Sequence, residues 1–166
     1  MFHNSNGTVM DPKAEFSVRI AELRDLKQLA RMRSTLWPEA SAEAHAQDLA
    51  PVLEGAAAST MPVINLVAET SDRLLIGFLE AGLRSHADGC DTSRPVGYIE
   101  GWYVSEEFRH RGVGSKLLAA AEDWARAHGC REMASDALIE NEGSQRAHEA
   151  LGYVVVDRCV HYRKTI

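Results

Sequence analysis

The chain has 166 residues, 45 % hydrophobic and 25 % charged, with a net charge of −6, the proportions of an ordinary soluble protein with enough length for one domain and a real core. That acidic balance excludes a general nucleic-acid binder, which needs clustered excess cations, and it suits a cationic ligand. No apolar run approaches the roughly 18 residues of a membrane span, and Cys90, Cys130 and Cys159 show no zinc spacing, so they read as reduced thiols of a cytoplasmic protein.

The opening MFHNSNGTVMDPKAEF has no apolar signal region. Residues 1–15 read as a disordered leader or cloning remnant, with Met10 a candidate start, and 16–166 as one domain. Phe16–Ala21 predicts a strand, followed by a helix that Asp25 caps and that buries Leu26, Leu29, Ala30 and Met32. Trp37-Pro38 ends it. Ser41 starts a second helix, through Leu53. Val63–Glu69, Leu74–Leu83 and Val96–Val104 read as strands, the first two forming a hairpin through a short polar turn. A helix over Gly112–His128 carries an apolar stripe of Val113, Leu117, Ala121, Trp124 and Ala125, with Gly129 at its end. A strand at Arg131–Ala137, a helix around Ser144–Leu151 and a β-rich end at Tyr153–Lys164 complete the chain. Hairpins first and alternation later predict a mixed sheet with helices on its faces.

The junction between the Val96 strand and the Gly112 helix reads FRHRGVGS. A helix start exposes free N–H groups at the positive end of the macrodipole, and glycines let an anion approach them. Arg109 and Arg111 can add charge-assisted hydrogen bonds, so a pyrophosphate fits; the competing reading is a merely basic loop. There is no GxxxxGK[ST], and the glycines do not form GxGxxG after the first strand, which excludes the P-loop and disfavours a dinucleotide fold.

Arg109-x-x-Gly112-x-Gly114, with NEGSQRAHEALGY from Asn141 to Tyr153 in the right order and separation, resembles the GNAT superfamily of acetyl-CoA-dependent N-acetyltransferases. LWPE, GCDTS, YIEGWYV, CREMASD and SQRAHEALGY are similar to segments of its aminoglycoside 6′-N-acetyltransferases, over nearly the whole chain beyond the leader. The resemblance implies an α/β (α+β) fold: a mixed, mostly antiparallel sheet of six to seven strands, splayed between the fourth and fifth, with about four helices. It implies acetyl-CoA as co-substrate and no metal. Backbone groups of Trp102 and Val104 would meet the pantetheine. Arg109, Arg111, Gly112, Val113, Gly114 and Ser115 would meet the pyrophosphate, with Asn141 and Ser144 also contacting the cofactor. The expected reaction is direct acetyl transfer to an aminoglycoside 6′-amine in a ternary complex, within a homodimer. Another small amine or a protein amine is the alternative acceptor, and a non-catalytic acyl-CoA sensor the alternative class.

An alkyl amine with pKa near 10.4 is neutral in roughly one molecule in 2,500 at pH 7, so a carboxylate that removes its proton is valuable. Glu100, between Tyr98 and Trp102 in the strand alternation, and Asp136, ending the next strand, are the candidates for amine binding and deprotonation; each can equally be a structural ion pair. Trp37, Glu39, Glu80 and Asp91 are further candidates for a cationic acceptor. His148 stands where many family members have a tyrosine that protonates the leaving thiolate. It can do the same, or pack against the cofactor.

Overall fold

The computed structural model describes residues 15–56 and 60–166. The leader reading therefore lies outside the described residues, except at Glu15. Five strands, β1 (Phe16–Ile20), β2 (Val63–Thr70), β3 (Leu75–Arg84), β4 (Val96–Val104) and β5 (Met133–Ser135), form one sheet whose spatial order follows the chain. The first four are antiparallel neighbours, and β5 joins β4 in parallel. A parallel pair needs a crossover, supplied by α3 (Val113–Ala127). The other helices are α1 (Leu26–Leu36), α2 (Ala42–Leu53) and α4 (Glu142–Ala150).

The sheet separates two cores. On one face Val67, Leu75 and Phe78 meet Leu29, Ala30, Met32 and Leu49 of α1 and α2. On the other Leu66, Ile76, Leu79 and Ile99 meet Val113, Leu117, Leu118 and Ala121 of α3. β3 is covered on both sides, which is why it reads as an almost unbroken apolar run. Ser41 Oγ accepts from the Ala44 amide at the head of α2, and Asn141 Oδ1 from the Ser144 amide at the head of α4. Asp25 stands at the head of α1 as expected, but its side chain makes no cap bond to that helix and turns back instead. Its carboxylate accepts from the Glu22 amide at 2.7 Å and from Arg19 at 2.7 and 2.8 Å, and Arg19 also grips Glu69. Burial alone would raise its pKa, but Arg19 and the Glu22 amide outweigh it and hold the carboxyl below its ordinary range.

Five strands replace the expected six to seven. β5 spans three residues rather than Arg131–Ala137, and Tyr153–Lys164 forms no ladder among the described residues. Val154, Val155 and Val156 are 78 %, 58 % and 59 % exposed. Three consecutive valines thus present mostly exposed apolar surface, with Val156 set against Gly89. No helix among the described residues is long and apolar enough to cross a membrane.

Candidate active site

β4 organises the site through one irregularity. Glu80 of β3 faces Gly101, whereas the next residue, Ala81, faces Ile99, so Glu100 is the extra residue of a β-bulge. The bulge corrects the simple alternation expected from sequence. Tyr98, opposite Gly82, and Glu100, whose Oε1 lies 4.0 Å from a Cβ built at Gly82, stay on the α1/α2 side, while Trp102 turns into the α3 core. Gly101 is required here: a Cβ would lie 2.7 Å from Trp37 Cζ2.

β5 pairs only with Gly97, Tyr98 and Ile99. From Glu100 to Val104 that edge of β4 has no strand beside it among the described residues, and the two strands diverge as expected. Such an edge can hydrogen-bond an extended ligand. The Val104 carbonyl accepts from Arg109 Nε at 3.1 Å, so this arginine is partly committed to its own loop. Arg111 lies with Cζ 5.3 Å from the Phe108 ring centroid.

The chain then turns through His110 (φ 59°) and Gly112 (φ 79°), both left-handed, into α3. The first helical bond runs from the Lys116 amide to the Gly112 carbonyl, so the amides of Val113, Gly114 and Ser115 face outward at the positive helix end. This is an anion cradle made of main chain. Gly114 is small for a neighbour as well, since a Cβ there would sit 2.9 Å from Trp102 Cζ2. Trp102 Nε1 is buried without a hydrogen-bond partner among the described residues, an unused donor beside the cradle.

On the opposite face of the sheet, Glu100 receives Arg84 Nη2 at 2.8 Å on Oε2 and 3.0 Å on Oε1, with Arg84 Nε 3.1 Å from Oε1. The Tyr98 hydroxyl donates to Asp136 Oδ1 at 2.7 Å. Burial and that bond push the phenol up to about 12. Glu100 and Asp136 are thus joined through Arg84 and Tyr98, two residues that sequence reasoning missed. Their register depends on the bulge and on a polar loop whose length hides which residues of β3 and β4 are opposite.

Trp37 closes α1 against Gly101 and Phe78, and its carbonyl pairs with His45 Nε2 at 3.1 Å. Glu80, expected as a candidate contact for a cationic acceptor, is largely buried instead. It lies within β3, and Arg33 Nη1 opposes it at 3.1 Å as an ion pair without hydrogen-bond alignment. Burial raises its pKa, with Arg33 opposing. Its charge is neutralised under Trp37 rather than offered to a ligand. Asp91 is also removed from the splay: its amide donates to Glu132 and its side chain accepts from Ser93, at the Val96 end of β4. Glu39 is exposed in the turn between α1 and α2.

His148 packs edge-on between Trp102 and Tyr153. Nδ1 lies 2.8 Å from the Ser144 carbonyl, which fixes the proton there, and Nε2 then accepts from the Ser135 hydroxyl at 3.0 Å. Asn141 Oδ1 is engaged in capping α4.

This combination, a divergent pair of strands beside a glycine-led helix start, also recurs in known proteins. The acetyltransferase (GNAT) family matches residues 26–153. The chain belongs to that family. It is 38 % identical over 149 residues to an aminoglycoside N(6′)-acetyltransferase type 1 of Klebsiella aerogenes, covering 90 % of this chain and 96 % of the relative. A structure of AAC(6′)-Iy with a bisubstrate analogue, CoA-S-monomethyl-acetylneamine, superposes with a TM-score of 0.80 at 36 % identity, over 92 % of this chain and 100 % of that one. Aminoglycoside N-acetyltransferase AAC(6′)-Iy in complex with CoA gives 0.82 at 34 % identity, over 95 % and 100 %. In this GNAT chain no cluster of three or more His, Cys, Asp or Glu among the described residues could hold a metal.

Proposed function

We propose that the protein transfers the acetyl group of acetyl-CoA to the 6′-amine of aminoglycosides, which inactivates the antibiotic. The observation that carries this reading is the unpaired edge of β4 leading into the α3 amide cradle, with Glu100 and Asp136 on the other side of the same strand. The residues fit an acyl-CoA. The amides of Val113, Gly114 and Ser115 suit its diphosphate, Trp102 and Val104 its extended arm, and the buried Trp102 Nε1 offers a further donor. Arg109 and Arg111 lie in the loop that leads into that cradle, and Asn141 and Ser144 at the head of α4 are assigned further contacts to the cofactor. When bound, acetyl-CoA supplies an activated thioester.

The chain's own task is to bring a neutral amine to that carbonyl carbon. The nitrogen–carbon bond forms and the carbon–sulfur bond breaks; of the two protons the ammonium nitrogen loses, one goes to a carboxylate before attack and the other leaves to water after it. Glu100 and Asp136 are assigned to bind the acceptor amine and take the first proton, Asp136 as the direct contact, with Trp37 forming the floor. The tautomer favoured by Ser144 leaves Nε2 of His148 without a proton. We therefore assign His148 to holding Ser135 and Trp102, and the sulfur leaves as thiolate, its ordinary pKa being about 8.5.

Thiol release from acetyl-CoA with tobramycin, compared with an aminoglycoside bearing a 6′-hydroxyl, spermidine and a lysine peptide, tests the acceptor. Turnover is expected with tobramycin only, and acetylation of the peptide but no aminoglycoside overturns the reading. Glu100→Gln and Asp136→Asn should each lower kcat/KM by about 10²-fold or more. Undiminished turnover in both would remove the base assignment.

A cytoplasmic location suits an enzyme that uses acetyl-CoA. Residues 16–166 act as one acetyltransferase domain. Two copies form a homodimer in which the Tyr153–Lys164 segment of each supplements the short β5 edge of the other. The exposure of Val154–Val156, Val160 and Tyr162 supports that arrangement.

A further inference from the structure

One cation lies where the acceptor's own charge must go. Arg84 ends β3, grips Glu100 through Nε and Nη2, and lies flat on Tyr98, with Cζ 3.2 Å from the ring centroid. Tyr98 in turn holds Asp136. A single guanidinium therefore pairs with one carboxylate and covers the ring that orients the other. An ammonium-bearing sugar uses the same two contacts, an ion pair and a cation over an aromatic face.

The pair is built to exchange. The Arg84 and Glu100 side chains are 43 % and 45 % exposed, and exposed ion pairs contribute little. Where this chain builds a permanent strut, it does so differently: Arg19 and Asp25 are 19 % and 4 % exposed, and the same guanidinium also bonds Glu69.

We propose that Arg84 is a resident counter-cation of the acceptor site, displaced from Glu100 by an ammonium group of the incoming aminoglycoside and returning to it when the acetylated product leaves. The inference rests on the reading that Glu100 and Asp136 meet the acceptor. Its consequence is selectivity for polycations. A monoamine bound at Asp136 leaves Arg84 on Glu100 and is repelled by it, whereas a polyamine carries the second ammonium that displaces it.

Calorimetry with tobramycin and steady-state kinetics separate this from a scaffold role. Arg84→Ala is expected to lower Kd and KM for tobramycin about three- to tenfold at low salt. Arg84→Lys returns KM toward the parent, because the competing charge is back. In Arg84→Ala combined with Glu100→Gln the gain disappears, because no freed carboxylate remains. Should Arg84→Ala not fold, Arg84→Gln removes the charge while keeping a planar group on Tyr98 and carries the same expectation. A KM or Kd that is unchanged or higher in these variants, or a loss confined to kcat, overturns the proposal and makes Arg84 a support for Glu100. A parent enzyme that turns over no aminoglycoside would instead sink the functional reading, so the two failures are distinguishable.

Discussion

Gly101 and Asp25 show how much a single position decides. Adding a methyl at Gly101 drives a carbon into the Trp37 ring, and overpacking of this kind costs about 1–3 kcal/mol. Gly101→Ala should therefore lower Tm and also raise the aminoglycoside KM, because Trp37 can yield only by leaving the acceptor floor. Asp25 has the opposite kind of importance. Its folded-state pKa lies below the unfolded value, so its contribution to stability is present above the unfolded pKa and is lost as pH falls through the folded one. Thermal scans from pH 7 downward should show Tm falling below about pH 4, with a shallower fall in Asp25→Asn. At this scale the sequence showed which residues bear chemistry but not whom they face. Glu80 and Glu100 look alike in sequence; burial beside Arg33 and exposure beside Arg84 separate them.

At the scale of elements, periodicity and punctuation were readable. Ser41, Gly112 and Gly129 mark helix ends where the structure has them, within a residue or two, and the helix expected around Ser144–Leu151 runs Glu142–Ala150. The bulge in β4 was not readable, because nothing in YIEGWYV distinguishes an inserted residue from continued alternation until the partner strand is known. The start of α3 offers a direct check. A side chain at Gly112 meets no neighbour, but the left-handed backbone there costs an L-residue about 1–2 kcal/mol. Gly112→Ala should relieve that strain by turning the loop, rotating the cradle amides and weakening CoA binding, measured by calorimetry, more than it weakens the fold.

For the whole molecule, the arrangement of a mixed sheet with helices on both faces followed from hairpins that give way to alternating helices and strands. The expected sixth and seventh strands do not appear among the described residues, because strand formation needs a partner edge and β propensity alone does not supply one. If the terminal segment completes the sheet of a second copy, sedimentation should give a dimer, and Val155→Asp should shift it toward monomer. A chain that sediments as a monomer at micromolar concentration would contradict the homodimer.

The spatial order of the strands equals their order of synthesis. β2, β3 and β4 follow one another with no α-helix between them, so that part of the sheet can zip as it leaves the ribosome. β1 has to wait for α1 and α2 before it meets β2, and the parallel β5 has to wait for α3. The half that grips the nucleotide is therefore the last to be assembled, and truncated translation products would keep a sheet yet lack the means to hold a cofactor.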